Sequence, residues 1–188
     1  MSTNVRRALL DTVLLRTFLL AAVVVFTGVV SARGEGVPQL RLADDLGFPD
    51  EGYCIDVIGV GQSARADLPL IVHNCLPERG SVDRMAVLRD GRIEMPAFDA
   101  CVTAFGVRTP LPGAPVILRP CGIDESFLPV TALQRFERTE DGQLRLANTD
   151  LCLVAGPDAA PTFSASHRWR TLTLERCAAA PPALSVWE

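Results

Sequence analysis

Six cysteines, two histidines and a tryptophan set between two arginines are the side chains of this 188-residue chain with the most specific chemistry. The cysteines are Cys54, Cys75, Cys101, Cys121, Cys152 and Cys177. They form no Cys-x-x-Cys pair, and His73 and His167 are the only histidines, so the ligand spacing of a zinc site is missing and no metal is expected. Serine, histidine and aspartate are all present, but neither histidine lies near a recognisable nucleophile motif. No catalytic residue is assigned, and no cofactor is expected. An even cysteine count fits disulfides in an exported chain. Trp169, between Arg168 and Arg170, is a candidate contact residue, because an exposed tryptophan anchors binding surfaces. The alternative is a tryptophan packed beneath its own loop.

The elements that position these residues begin after a leader. Residues 1–32 read as a signal peptide: Arg6, Arg7 and Arg16 are followed by an apolar run from Thr17 to Val30, and Val30-Ser31-Ala32 is a small-residue cleavage site. Thr17 to Ala32 is 16 residues, shorter than the ~20 that cross a bilayer. A retained anchor is the alternative. Cleavage would leave residues 33–188 as one domain in a secreted, extracellular or periplasmic setting. Losing the leader removes three arginines and one aspartate, which moves the formal charge from −4 to about −6. An acidic domain is a poor match for nucleic acid or, once the leader is gone, for an anionic membrane. All 18 cationic side chains are arginine, which reads as coding bias, with guanidinium binding of carboxylate or phosphate as the alternative.

A repeat organises the domain. Asp83-Arg84-Met85, Gln134-Arg135-Phe136 and Ser185-Val186-Trp187 recur at an offset of 51 residues, and the same offset carries Asp90-Gly91 onto Asp141-Gly142 and Cys101-Val102 onto Cys152-Leu153. Gln39-Leu40-Arg41-Leu42-Ala43 recurs letter for letter at Gln143-Leu144-Arg145-Leu146-Ala147. Three units result, each with one early and one late cysteine. Of the 15 possible pairings, the repeat selects Cys54–Cys75, Cys101–Cys121 and Cys152–Cys177. In the middle unit, Met85 to Leu88, Ile93 to Met95, Cys101 to Phe105 and Val116 to Leu118 read as short strands. Asp90-Gly91 marks a hairpin turn, Pro110 to Pro115 a loop, and Gly122 to Pro129 a looser stretch. The expectation is an all-β domain of three units of ~50 residues, with about twelve strands and no substantial helix.

On these residues the chain resembles the ricin B-type β-trefoil lectin family. The resemblance rests on Tyr53-Cys54-Ile55-Asp56-Val57, on the apolar strands Val116 to Cys121 and Leu172 to Cys177, and on Gln134-Arg135-Phe136 and Ser185-Val186-Trp187, which are similar to its Gln-x-Trp signature. It covers Gln39 to Glu188 and implies a β-trefoil. It also implies that Gln134 and the aromatic positions of the signature, Met85, Phe136 and Trp187, close the core of the lobes.

The family's sugar site implies an aspartate two residues after the first cysteine, and a glutamine and an aromatic platform four and two residues before the second. An asparagine just ahead of the signature completes it. The first unit keeps Asp56, with Ile71, His73 and Val82 at the other positions. The second has Thr103, Ile117, Arg119 and Leu133, and the third Val154, Thr173, Glu175 and Leu184. The implied carbohydrate-binding residues are therefore Asp56 and His73, with Trp169 as a further contact in the variable loop of the third unit. Read without the resemblance, Asp56 caps a turn near Gly59 and Gly61, and His73 is an ordinary surface or core histidine. The implied function is a secreted, non-enzymatic, lectin-like module with a glycan or glycoconjugate as partner. A degenerate trefoil acting as a protein-interaction or inhibitor subunit of a secreted or envelope complex is the alternative. Ricin-type domains are often joined to hydrolases, but the sequence leaves no room for a catalytic domain.

Overall fold

The structure, a computed structural model, describes residues 39–75 and 86–188. The leader, Val82 and Met85 lie outside the described residues. The described part is all-β. Its eleven strands are β1 (Tyr53–Asp56), β2 (Ile71–Asn74), β3 (Val87–Arg89), β4 (Arg92–Met95), β5 (Ala100–Ala104), β6 (Ala114–Pro120), β7 (Phe136–Arg138), β8 (Leu144–Leu146), β9 (Leu151–Ala155), β10 (Ala160–Pro161) and β11 (Arg168–Arg176). Two four-residue helices, α1 (Val130–Leu133) and α2 (Pro182–Ser185), precede Gln134-Arg135-Phe136 and Val186-Trp187. They are too short to leave a periodic pattern in sequence.

All strand pairings are antiparallel, and the main path runs β3-β4-β5-β6-β11-β9-β8-β7, with β1 on β2 and β2 on β11. The turn between β3 and β4 is Asp90-Gly91, both at positive φ (49° and 73°), as a two-residue hairpin turn of the mirror-image type requires. The strand β6 begins two residues earlier than its apolar pattern suggests, because Pro115 sits opposite Thr173 on β11.

Equivalent pairings recur at the three early cysteines. Arg41, Glu94 and Arg145 lie opposite Cys54, Cys101 and Cys152. The side-chain oxygens of Gln39 and Gln143 each lie 3.6 Å from the sulfur of the first cysteine of their units. The disulfides are Cys54–Cys75, Cys101–Cys121 and Cys152–Cys177, the pairing that the repeat selects. Each closes a loop within its own unit, worth about 3 kcal/mol in the chain-entropy account. Three disulfides are the chemistry of an oxidising, extracellular or periplasmic environment.

The strands that lead into the late cysteines also meet one another. The Leu70 amide donates to the Val116 carbonyl at 2.9 Å, the Gly113 amide to the Leu174 carbonyl at 2.8 Å, and Thr171 pairs with Ile71. Beneath them lies one apolar core whose largest buried side chains include Trp187, Tyr53 and Phe136. The Trp187 indole donates to the Leu153 carbonyl at 3.0 Å, which satisfies its one polar atom. Gln134 is fully buried. Its Oε1 accepts from the Gly122 amide at 2.8 Å, and its Nε2 donates to the Pro120 carbonyl and the Thr103 hydroxyl, each at 3.0 Å. Ser185, one offset later, takes a bond from Gln143 Nε2 at 3.1 Å.

Candidate functional site

Strand alternation decides which side chains share a face. On β1 and β2, Cys54 is opposite His73 and Asp56 is opposite Ile71. On the next strand, β11, Trp169 is opposite His73 and Thr171 opposite Ile71. Asp56, Ile71, His73 and Trp169 therefore lie on one face of a three-stranded sheet, although 113 residues separate Asp56 from Trp169 in the chain.

This face is the floor of a cleft of about 540 Å³, walled on one side by Ile58, Gly59 and Val60 and on the other by Thr162, Phe163 and His167. Such a volume lies within the ~300–1,000 Å³ of small-molecule sites. The structure thus brings together all three residues singled out in sequence, with one correction. Trp169 is not in a loop: it belongs to β11, a nine-residue strand that reaches across to β2.

The floor is polar at its deepest point. Asp56 is 2% exposed and His73 7%. Asp56 Oδ1 accepts from the Val57 amide at 2.8 Å, and Oδ2 lies 3.9 Å from His73 Nδ1. Through Oδ1 the Asp56 carboxylate holds its own strand end. His73 Nδ1 is 3.1 Å from the Asn74 carbonyl; a carbonyl can only accept, so Nδ1 donates in this contact. The His167 ring stands 6.2 Å from that of His73. Among the described residues no cluster of histidine, cysteine and carboxylate side chains is arranged to hold a metal.

Both walls are built rather than loose. The Arg65 amide donates to the Ile58 carbonyl at 2.7 Å, closing the 58–65 loop, and Arg65 pairs with Asp67. Gly59 has φ +96°, and a Cβ there would lie 2.2 Å from the Ser63 carbonyl oxygen, so only glycine fits. Opposite, the Thr162 amide and hydroxyl both donate to the His167 carbonyl, at 2.8 and 3.1 Å. The arginines beside Trp169 alternate onto the other face and act structurally. Arg168 donates to the Ala159 carbonyl, and Arg170 to those of Gly156 and Pro157. The Arg170 guanidinium also lies over the Tyr53 ring at 5.0 Å. The Asn74 side chain ties the strands together by accepting from the Arg168 amide at 2.6 Å.

The same register in the other units places Thr103 opposite Ile117 and Val154 opposite Thr173, with Arg119 and Glu175 opposite the first cysteines. Thr103 has been absorbed into the core network: its hydroxyl donates to the Cys101 carbonyl and accepts from Gln134. Sequence reasoning missed the cleft walls. The signal was the apolar pair Ile58 and Val60 around a glycine, and a lone aromatic, Phe163, in a loop otherwise made of small and polar residues.

No family model matches the chain, and no curated protein matches it. Among solved structures, the chain is similar to the solution structure of the mdaA-1 domain, over 81% of this chain and 89% of that one, with 16% identity and a TM-score of 0.53. A crystal structure of the cytolethal distending toxin from Actinobacillus actinomycetemcomitans gives a TM-score of 0.49 at 17% identity, over 79% of this chain and 88% of that one. At 16% identity the likeness to the mdaA-1 domain is one of fold alone.

Proposed function

We propose that this chain is an exported, non-enzymatic β-trefoil module that binds a glycan in the cleft of Asp56, His73 and Trp169. The observation that carries the reading is the register of β1, β2 and β11, which sets a carboxylate, an imidazole and an indole on one concave face. A carboxylate accepts hydrogen bonds from sugar hydroxyls, an imidazole nitrogen donates or accepts, and an indole covers the apolar face of a pyranose ring. The trefoil is supported by three units with equivalent pairings, one disulfide in each, and the meeting of β2, β6 and β11. Export is supported by the disulfides and by the leader pattern in the sequence.

Binding belongs to the first unit. Arg119 and Glu175 occupy the place of His73 in the others, and Thr103 and Val154 that of Asp56. The test is a glycan array probed with residues 33–188, followed by calorimetry on the best glycan. Asp56→Asn is expected to weaken binding, while Glu175→Ala is expected to leave it unchanged. An array without binding would move the reading to a protein-interaction subunit. Equal loss in both variants would place the site outside the first unit.

A further inference from the structure

We propose that the ligand of this cleft is a neutral glycoside with an apolar aglycone, an alkyl or aryl group that lies against Ile58, Val60 and Phe163. The inference rests on the sugar-binding reading above and names the class of sugar derivative. The polarity of the cleft is layered. Asp56 and His73 form its buried floor, while Ile58 (39% exposed), Val60 (56%) and Phe163 (97%) form its mouth. A free sugar uses the floor and the Trp169 face, but offers nothing apolar to the mouth. Hydroxyls directed at Ile58, Val60 and Phe163 would be set against side chains that cannot bond them.

The mouth is not a floppy loop that folds away. Ile58 and Val60 flank Gly59, which is locked against Ser63, and Phe163 sits in a hairpin closed by Thr162 and His167. Exposed apolar side chains on hydrogen-bonded loops around a pocket mark the place where a ligand's apolar part is taken out of water. The cleft volume of about 540 Å³ leaves room beyond a single ring.

Charge sets the rest of the class. Among the described residues no arginine lines the cleft, although all 18 cationic side chains of the protein are arginine, and its floor holds a carboxylate. A phosphate or carboxylate on the ligand would be set beside the Asp56 carboxylate, and among the described lining residues only the imidazoles of His73 and His167 could pair it. The polar end that fits is therefore an uncharged polyol, seated inward, with the apolar group outward.

The test is calorimetry of the 33–188 protein with methyl and octyl glycosides of glucose, galactose, mannose and N-acetylglucosamine, below micellar concentrations, with 1-octanol as the tail alone. For at least one sugar the octyl glycoside is expected to bind ~10-fold or more tightly than the methyl glycoside, which the burial of about two methylenes supplies. The Val60→Ser/Phe163→Ser double variant is expected to bring that ratio close to 1; both side chains are exposed, so the fold does not depend on them. Equal affinity for methyl and octyl forms of the bound sugar would overturn the inference and leave the sugar reading standing. Octanol binding as tightly as the octyl glycosides, or no glycoside of either kind binding, would overturn both. A ratio that persists in the double variant would also overturn it, because the tail would then lie elsewhere.

Discussion

Replacing Gln134 by glutamate changes one atom type in a fully buried side chain, and its cost should depend on pH in a calculable way. Gln134 accepts through Oε1 from the Gly122 amide and donates through Nε2 to the Pro120 carbonyl and the Thr103 hydroxyl. A protonated glutamic acid can reproduce most of this set, with its carbonyl oxygen toward Gly122 and its hydroxyl toward Pro120. An ionised glutamate cannot, because it would aim charge at the Pro120 carbonyl oxygen in a buried site. Burial and that oxygen both raise the folded-state pKa of the new group above its unfolded value of about 4.3. Its folded form therefore holds the proton to higher pH than the unfolded form does. Gln134→Glu should lie near the wild type below pH 4, then lose about 1.4 kcal/mol per pH unit above the unfolded pKa. The loss reaches about 3–4 kcal/mol by pH 7 if the folded group stays protonated that far. Gln134→Leu removes the bonds at every pH. Pro120 and Gly122 lie in an exposed turn that water can reach, so its cost should be about 2–4 kcal/mol and nearly flat with pH. Urea unfolding of the three proteins at pH 4 and pH 7 measures both effects. A Gln134→Glu variant with the same deficit at both values would refute the hydrogen-bond assignment.

Three further outcomes are expected. Asp56→Ala leaves the Val57 amide without its acceptor and should cost about 1–3 kcal/mol of stability by chemical denaturation. Asp56→Asn keeps an oxygen for Val57 and should recover most of that, yet lower glycan affinity about 10- to 150-fold through loss of a charged acceptor. The Thr131 amide, donating at 2.7 Å, holds the Asp124 carboxyl below its ordinary pKa. Its contribution to stability is present above the unfolded value and lost as pH falls through the folded one; carboxyl chemical shifts should show the low titration, and Asp124→Asn should remove that part of the acid sensitivity. Opening the Cys101–Cys121 bridge by a double alanine substitution should lower stability by about 3 kcal/mol, for a 20-residue separation, in the same denaturation assay.

Much of this was legible in the sequence, for identifiable reasons. One early and one late cysteine in each repeated unit matched the cysteines to their partners, because a repeated unit repeats its covalent links. Asp90-Gly91 announced its turn because few dipeptides tolerate two positive φ values. The cysteine spacing placed Asp56, Thr103 and Val154 in register with Ile71, Ile117 and Thr173. What failed was reach. Arg168-Trp169-Arg170-Thr171-Leu172 alternates as a strand should, but the proline- and serine-containing stretch before it drew Trp169 into a loop. The pairing of Trp169 with His73 is a contact between the first and third units, and no local pattern encodes it. The cleft walls escaped because their order comes from backbone bonds, such as Arg65 to Ile58, that many sequences can make. The two short helices escaped because four residues complete barely one turn.

We propose the first-unit cleft as the glycan site. Amide chemical-shift mapping on isotope-labelled 33–188 protein, titrated with the glycan ranked first on the array, tests it most directly. The expected result is a contiguous set of shifted amides around Asp56 to Val60, Ile71 to His73 and Thr162 to Trp169. The Trp169 indole should move, and that of the buried Trp187 should stay still. Shifts centred instead on Thr103 and Arg119, or on Val154 and Glu175, would contradict the account, as would a spectrum that the glycan leaves unchanged.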